Sequence, residues 1–389
     1  MGGSLETALQ QRLQVLERSG RRRFVKQVEC LAHGRCVIEG QELVNFGSND
    51  YLSLAHDPRV CAAFAEAAGR QAGATASALI AGRSRLHAEL EDQLADFEEC
   101  EAALLFPTGF AANLGTIQGI VRPQDVIFSE QENHASLIDA MRATKAAVSV
   151  YSRHDLRDLV SQISKIRSDY QFGFLITDGV FSMDGSVAPL RELCDIADEF
   201  RLSVIVDDAH GTGVVGPGGR GACDLADVQV RPYVHIGTLS KALGCLGGFA
   251  AGSRVTIEWL RNRARTQFFS TALPPAVCAA ALESLKIVRS EPERRLKLME
   301  RNRFARSCAR SAGLNVLGPA EAPILAVTVP GEQDIMAISM QLQHDGWFVP
   351  AIRPPTVPSG SSRFRLSLTV DHEPDDIVAV LNQIAELIS

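Results

Sequence analysis

No stretch of this 389-residue chain approaches the roughly 18 consecutive apolar residues of a membrane span. An excess of positive charge is missing too. Lys and Arg number 39 against 46 Asp and Glu, a formal net charge of −7. That balance argues against a general nucleic-acid binder, whose phosphate contacts need a basic surface. The nine cysteines are odd in number, scattered, and form no C-x-x-C pair. They read as reduced, mostly buried thiols of a cytosolic protein. The start, Met1 to Glu6, lacks the apolar core of a signal peptide, and Glu6 stands where a myristoylation motif needs Ser or Thr. Repeats and low-complexity tracts are absent as well. A cytoplasmic enzyme with no nucleic-acid or membrane partner is the expectation.

What is there is ordinary globular material, 46% hydrophobic and 22% charged, with apolar content for a large core. At about 150 residues per domain, the length suggests two or three units. Leu5, Leu9, Leu13 and Leu16 form a helical stripe that ends near Gly20. Cys36–Ile38 and Leu43–Phe46 flank a Glu39-Gly40-Gln41-Glu42 turn and predict a hairpin. From about residue 85, short apolar runs alternate with amphipathic segments. The runs are Ala102–Phe106, Asp125–Ser129, Ala146–Tyr151, Phe172–Thr177, Leu202–Val206, Val234–Leu239 and Gly247–Ala251. Helices are expected between most of them, for example over Leu86–Glu99 and Ala188–Phe200. Continuous apolar strands separated by helices predict an α/β fold with a parallel sheet covered on both faces.

A charged helical stretch from Lys286 to Arg310 then leads to a smaller α+β unit. It holds Ile324–Val329, Phe364–Leu368 and a helix from Glu373 to Ile388. Phe364, Leu366 and Leu368 alternate with Arg365 and Ser367, which predicts a strand with one wet face. The expected divisions are an N-terminal helix and hairpin over 1–48, a large α/β domain over 49–284 and a small α+β domain over 285–389.

Gly211-Thr212-Gly213-Val214-Val215-Gly216 is a literal G-x-G-x-x-G after a predicted strand, the form of a nicotinamide-dinucleotide fingerprint. Pro217-Gly218-Gly219 follows, and cannot open the helix whose N-terminus would hold the pyrophosphate. A glycine-rich loop is the better reading. Just upstream, Val204-Ile205-Val206-Asp207-Asp208-Ala209-His210 brings two carboxylates and a histidine to the carboxyl end of a buried strand, where open α/β sheets bind ligands. A capping Asp beside a core His is the plainer alternative. In Thr238-Leu239-Ser240-Lys241-Ala242-Leu243-Gly244, the lysine lies between an apolar strand and a glycine-rich stretch. A desolvated lysine there has a depressed pKa and suits Schiff-base chemistry; a surface lysine is the alternative.

Thr108-Gly109-Phe110 marks a strand end and helix start whose free N–H groups can face an anion. His134 sits at another strand-to-helix junction. Singly, each reads as a cap or a core histidine. Together, a lysine, an aspartate, histidines and an anion cradle along one sheet are the parts needed to hold pyridoxal phosphate.

The chain resembles the α-oxoamine synthases, fold-type I pyridoxal-phosphate enzymes that condense an amino acid with an acyl thioester and release CO₂. The resemblance runs from about Arg21 to the C-terminus. It is carried by Ser48-Asn49-Asp50-Tyr51-Leu52, Thr108-Gly109-Phe110, His134-Ala135-Ser136-Leu137, Gly179 to Gly185, Asp207 to Gly211 and Thr238-Leu239-Ser240-Lys241. Within the family, Ala351 to Pro358 and Arg21-Arg22-Arg23-Phe24 look most like the biotin-pathway branch. The resemblance implies a large, mainly parallel-sheet domain with a smaller C-terminal α+β domain, and a homodimer with shared active sites. It implies L-alanine and a pimeloyl thioester as small-molecule substrates, the acyl group carried by coenzyme A or acyl carrier protein, and no metal. Sibling reactions on the same scaffold are glycine C-acetyltransferase, 5-aminolevulinate synthase and sphingoid-base synthase.

By the same resemblance, Lys241 binds the cofactor covalently and is then freed as the general base. Asp207 pairs with the ring nitrogen, His134 stacks on the ring, and His210 bonds its phenolic oxygen. The phosphate meets the N–H groups of Gly109 and Phe110 and the hydroxyls of Ser182 and Thr238. Arg353 and Asn49 hold the amino-acid carboxylate, Thr356 joins the substrate site, and Arg21 meets the far carboxylate of the acyl chain. A solvated basic face is the alternative for Arg21. Ser270 and Thr271 are expected to reach the phosphate held by a partner subunit. Two departures stand out. The family usually has Glu at the position of Asp178, which shortens a polar side chain expected near the acyl-thioester end. The 73–82 loop is also less glycine-rich than usual.

Overall fold

The seven apolar runs become the seven strands of one central sheet: β1 (Ala102–Phe106), β2 (Val126–Glu130), β3 (Ala147–Tyr151), β4 (Gly173–Asp178), β5 (Leu202–Asp207), β6 (Val234–Thr238) and β7 (Gly248–Gly252). The computed structural model describes residues 4–228, 232–330, 334–354 and 356–388. Strand order across the sheet is β1-β7-β6-β5-β4-β2-β3. Six strands run parallel. Only β7 runs antiparallel to both of its neighbours, β1 and β6. All residues of β2, β4, β6 and β7 are buried, as expected of strands covered on both faces. The edge strand β3 alternates instead, and its Val148 and Val150 are exposed.

Successive strand residues feed opposite cores because side chains alternate across a sheet. Leu105, Phe128, Leu175 and Val206 pack on one side. Leu104, Phe106, Ile127, Ile176, Ile205 and Ile236 pack on the other. Fully burying each such side chain is worth about 1.5–3 kcal/mol, so the carboxyl ends of the parallel strands sit on a rigid platform.

The N-terminal hairpin forms with a tighter turn than the sequence suggested. Ile38 pairs with Gln41, so Glu39 and Gly40 alone make the turn, at φ 53° and 81°. Two left-handed residues in a row match the strand twist. Gln41–Asn45 also pairs in parallel with Trp347–Phe348, tying this segment to the C-terminal unit. The leucine stripe is helical over Leu5–Arg18, but no residue of that helix is buried. The charged stretch is two helices, Pro275–Ser290 and Pro292–Ser311. Pro292 lacks an N–H, so it ends one helix and suits the first turn of the next.

One expectation fails in the small antiparallel sheet of Val316–Leu317, Ile324–Thr328, Arg363–Ser367 and Ala351–Ile352. Arg363–Ser367 has no wet face: Arg365 is 8% exposed and Ser367 not at all. The polar face is turned toward the large sheet. There the Arg365 guanidinium donates to the Ser182 carbonyl, to Asn49 Oδ1 at 3.2 Å and to Ser367 Oγ at 3.1 Å. No helix among the described residues is long and apolar enough to cross a membrane.

Candidate active site

A cavity of about 230 Å³ opens at the carboxyl ends of the central strands. Its walls bring together Gly109, Phe110, His134, Ser182, Asp207, His210, Thr238 and Lys241. These come from four strand ends and the loop at 182, so only the parallel sheet assembles them. Asn113, Ser136, Asp178 and Ser240 also line it.

Asp207 is the last residue of β5, and its carboxylate is held from both sides. The Ala209 N–H donates to Oδ1 at 3.0 Å, and the Asn113 side-chain N–H donates to Oδ2 at 2.6 Å. Lys241 follows β6. Burial pushes its amine down from 10.5 to about 8, against the opposing pull of Asp207 and Asp178. His210 shares a 2.6 Å hydrogen bond through Nδ1 with the hydroxyl of Tyr51. Burial, aided by the charges of Lys241 and Arg365, holds that imidazole well below its ordinary range, so it is neutral. Tyr51 is pushed up to about 12 by burial and stays protonated.

Two helices aim their N-termini at the cavity. Thr108 caps α1 (Gly109–Ile120), its hydroxyl accepting the Ala111 N–H at 3.0 Å. First-turn N–H groups have no intrahelical acceptor, which suits an anion. A Cβ on Gly109 would lie 3.2 Å from Thr238 Oγ1, and one on Gly248 only 2.6 Å from Gly109 Cα. The close backbone approach therefore needs both glycines. His134 caps α2 (Ala135–Thr144), with Nδ1 accepting the Ser136 N–H at 3.3 Å.

Several side chains behave differently from expectation. Thr238 donates its hydroxyl proton to the Gly247 carbonyl at 2.8 Å, so the donor expected there is already engaged. Asp178 ends β4 and lines the cavity. It is buried in the cavity wall, its Oδ2 accepting the His134 N–H at 3.1 Å while Oδ1 has no partner. Burial and the nearby Asp207 raise that carboxyl well above its ordinary value.

Arg21, Asn49, Arg353 and Thr356 do not line the cavity. Asn49 accepts from Arg365, which also stands outside the lining but donates to the carbonyl of the lining residue Ser182. Arg353 lies against the segment that holds Arg21: its guanidinium donates to the Arg22 carbonyl at 3.4 Å, and the Thr356 N–H donates to the Arg353 carbonyl at 3.0 Å. Thr271 pairs with Ser77, at the edge of the 73–82 loop, whose residues Ala78–Gly82 form a π-helical turn. Ser270 and Thr271 stand outside the cavity lining.

Sequence reasoning missed Asn113, Tyr51 and Arg365. Asn113 was legible as the residue one helical turn beyond Gly109. Arg365 was not, because nothing local tells what covers a polar face. Ser182 owes its place to Arg153, buried between Glu130 (3.1 Å), Glu132 (2.9 Å) and Asp184 (3.1 Å), with its guanidinium 3.9 Å from the Phe181 ring centre.

The G-x-G-x-x-G segment serves structure instead of a dinucleotide. After it comes only a four-residue helix, Ala222–Leu225. Gly211 and Gly221, with Gly179, close around Asp208: a Cβ on any of them would come within 2.0–2.6 Å of its carboxylate oxygens.

The cavity fits pyridoxal 5′-phosphate on its own terms. It offers orphan N–H groups and a glycine cradle for a phosphate, a pinned carboxylate for a ring nitrogen, and a desolvated amine for an aldehyde. No cluster of metal-ligating side chains exists among the described residues.

The comparisons agree. The family model for aminotransferase class I and II matches residues 41–384. An 8-amino-7-oxononanoate synthase from Thermoanaerobacter pseudethanolicus is 39% identical over 374 residues, 96% of this chain and 94% of that protein. Serine palmitoyltransferase from S. paucimobilis, solved with a bound PLP–myriocin aldimine, is 27% identical with a TM-score of 0.92, covering 99% of both chains. An 8-amino-7-oxononanoate synthase from Francisella tularensis is 26% identical with a TM-score of 0.76, covering 89% of this chain and 98% of that one. The chain belongs to the class I and II aminotransferase family and, within it, to the α-oxoamine synthases, fold-type I enzymes that use pyridoxal 5′-phosphate.

Proposed function

We propose that this enzyme condenses L-alanine with a pimeloyl thioester, giving 8-amino-7-oxononanoate, CO₂ and free thiol. Similarity to 8-amino-7-oxononanoate synthases over nearly the whole chain supports that reading. The observation that carries it is a buried arginine beside the cavity that holds Lys241: the Arg365 guanidinium donates to the carbonyl of Ser182, which lines the same cavity. A decarboxylative condensation needs both a base at Cα and a cation for the carboxylate that later leaves.

Bound at Lys241, the cofactor supplies the electron sink for the Cα carbanion. Asp207 favours the protonated ring nitrogen, because an adjacent carboxylate stabilises the cationic form. Lys241, with its amine near 8, is poised to take the Cα proton and later return one. His134 would cover one ring face, and His210 would bond the phenolic oxygen. Gly109 and Phe110 would hold the phosphate with Ser182, and Thr238 would support that end through Ser240, whose N–H it accepts at 3.2 Å.

Arg365 with Asn49 grips the amino-acid carboxylate, and Arg353 and Thr356 serve the acyl side. Arg365→Ala should raise KM for the amino acid roughly ten- to a hundredfold, the value of a charge-assisted hydrogen bond. Steady-state kinetics with the acyl substrate saturating checks this, and an unchanged KM would return the role to Arg353. Arg21 is the cation for the far carboxylate, which is costly to bury bare. Arg21→Ala should raise KM for a pimeloyl thioester roughly ten- to a hundredfold and leave an uncharged acyl thioester of equal length nearly unaffected. Equal effects on both would make Arg21 a surface charge.

Sibling synthases differ in amino acid and acyl chain, so turnover across a panel of both decides among them. Preference for glycine or serine would refute the alanine reading. A cytoplasmic homodimer fits the surface: Phe110 and Leu246 line the cavity yet are 47% and 50% exposed. A second copy would cover that mouth and bring its Ser270 and Thr271 to the phosphate. The acyl group arrives on coenzyme A or acyl carrier protein.

A further inference from the structure

Behind the cavity runs a chain of hydrogen bonds that joins its two key ring contacts. Asn113 is 2% exposed and Ser136 fully buried. One side-chain amide of Asn113 donates to Asp207 Oδ2 at 2.6 Å and to Ser136 Oγ at 2.8 Å. Ser136 Oγ lies 2.7 Å from His134 Nδ1. The opposite end of the amide, Asn113 Oδ1, has no partner.

The proton count along this chain has one solution. A flipped amide would aim its carbonyl at the Asp207 carboxylate, so both N–H groups point as described. Ser136 Oγ then accepts from Asn113, and its single proton goes to His134 Nδ1. That nitrogen also accepts the Ser136 N–H. It therefore carries no proton of its own. We infer that Asn113 and Ser136 are positioning residues, bridging Asp207 to His134 so that the carboxylate is pinned and the imidazole is fixed as the neutral Nε2–H tautomer. The charged groups around His134 are Asp207, Asp178 and Lys241. Burial and Lys241 lower its basicity and outweigh the opposing Asp207.

The bridge gives each ring contact a reason for its geometry. A ring-stacking imidazole that gained a proton would put positive charge beside the cationic ring, and one that turned over would lose its bond to Ser136. A rotated Asp207 would lose the ring nitrogen. Because the inference rests on the proposed roles of Asp207 and His134, its first readout is the imidazole itself, which needs no substrate.

The holoenzyme labelled with ¹⁵N in its histidine rings is recorded near neutral pH. His134→Gln identifies the His134 signals among the nine histidines. The expected spectrum has a protonated Nε2 and an unprotonated Nδ1. Ser136→Ala should produce a mixture of tautomers, with turnover down about tenfold, and Ser136→Thr should restore both. Asn113→Ala, which leaves Ser136 in place, should keep cofactor content while turnover falls about tenfold. A proton on Nδ1 in the unaltered enzyme would overturn the inference. So would an unchanged ring spectrum in Ser136→Ala, or full turnover in Asn113→Ala.

Discussion

Lys241→Ala is expected to abolish both turnover and the visible absorbance of the bound cofactor, with the fold intact. Loss of the general base alone removes about 10²- to 10⁴-fold of rate, and loss of the covalent link removes more. The fold survives because Lys241 is a cost to stability near neutral pH. Its amine sits at about 8 in the folded protein against an ordinary 10.5, so between those values the unfolded chain binds more protons. Stability of the cofactor-free protein should then rise with pH across that window, and Lys241→Met should flatten the rise. Borohydride reduction followed by peptide mapping checks the assignment, and cofactor fixed to any other lysine would overturn it.

Asp207→Asn should still bind cofactor but lose most of its kcat. The phosphate contacts at Gly109 and Phe110 persist, while an amide cannot stabilise a pyridinium charge. An interaction that matters mainly in the transition state lowers kcat more than cofactor affinity. The substitution also sets an amide against the Asn113 donor, 2.6 Å away, so one of two buried amides must turn. A loss of at least about a hundredfold, the low end for removing a charged transition-state partner, is expected from kcat with both substrates saturating. Near-normal kcat would contradict the role given to Asp207.

Strands were legible because burial on both faces writes a continuous apolar run, and all seven runs became strands within a residue or so. Motifs at strand ends were legible because the parallel sheet gathers its carboxyl ends into one place. The rest depended on distance in sequence. Alternation in Arg363–Ser367 told that its two faces differ, but water and a partner surface leave the same pattern. The Arg365 contacts to Asn49 and Ser182 span 316 and 183 residues. Glycines 211–216 match a cofactor loop in letters, and only the fold reveals that Gly211 packs on Asp208 and Gly216 on Asp224.

The central claim is a condensation driven by loss of the amino-acid carboxyl. L-Alanine labelled with ¹³C at the carboxyl carbon, given to the holoenzyme with pimeloyl thioester, tests it most directly. All label should appear as CO₂, in amounts equal to the thiol released, and the amino-ketone product should carry none. Thiol release without labelled CO₂, or label retained in the product, would contradict the account.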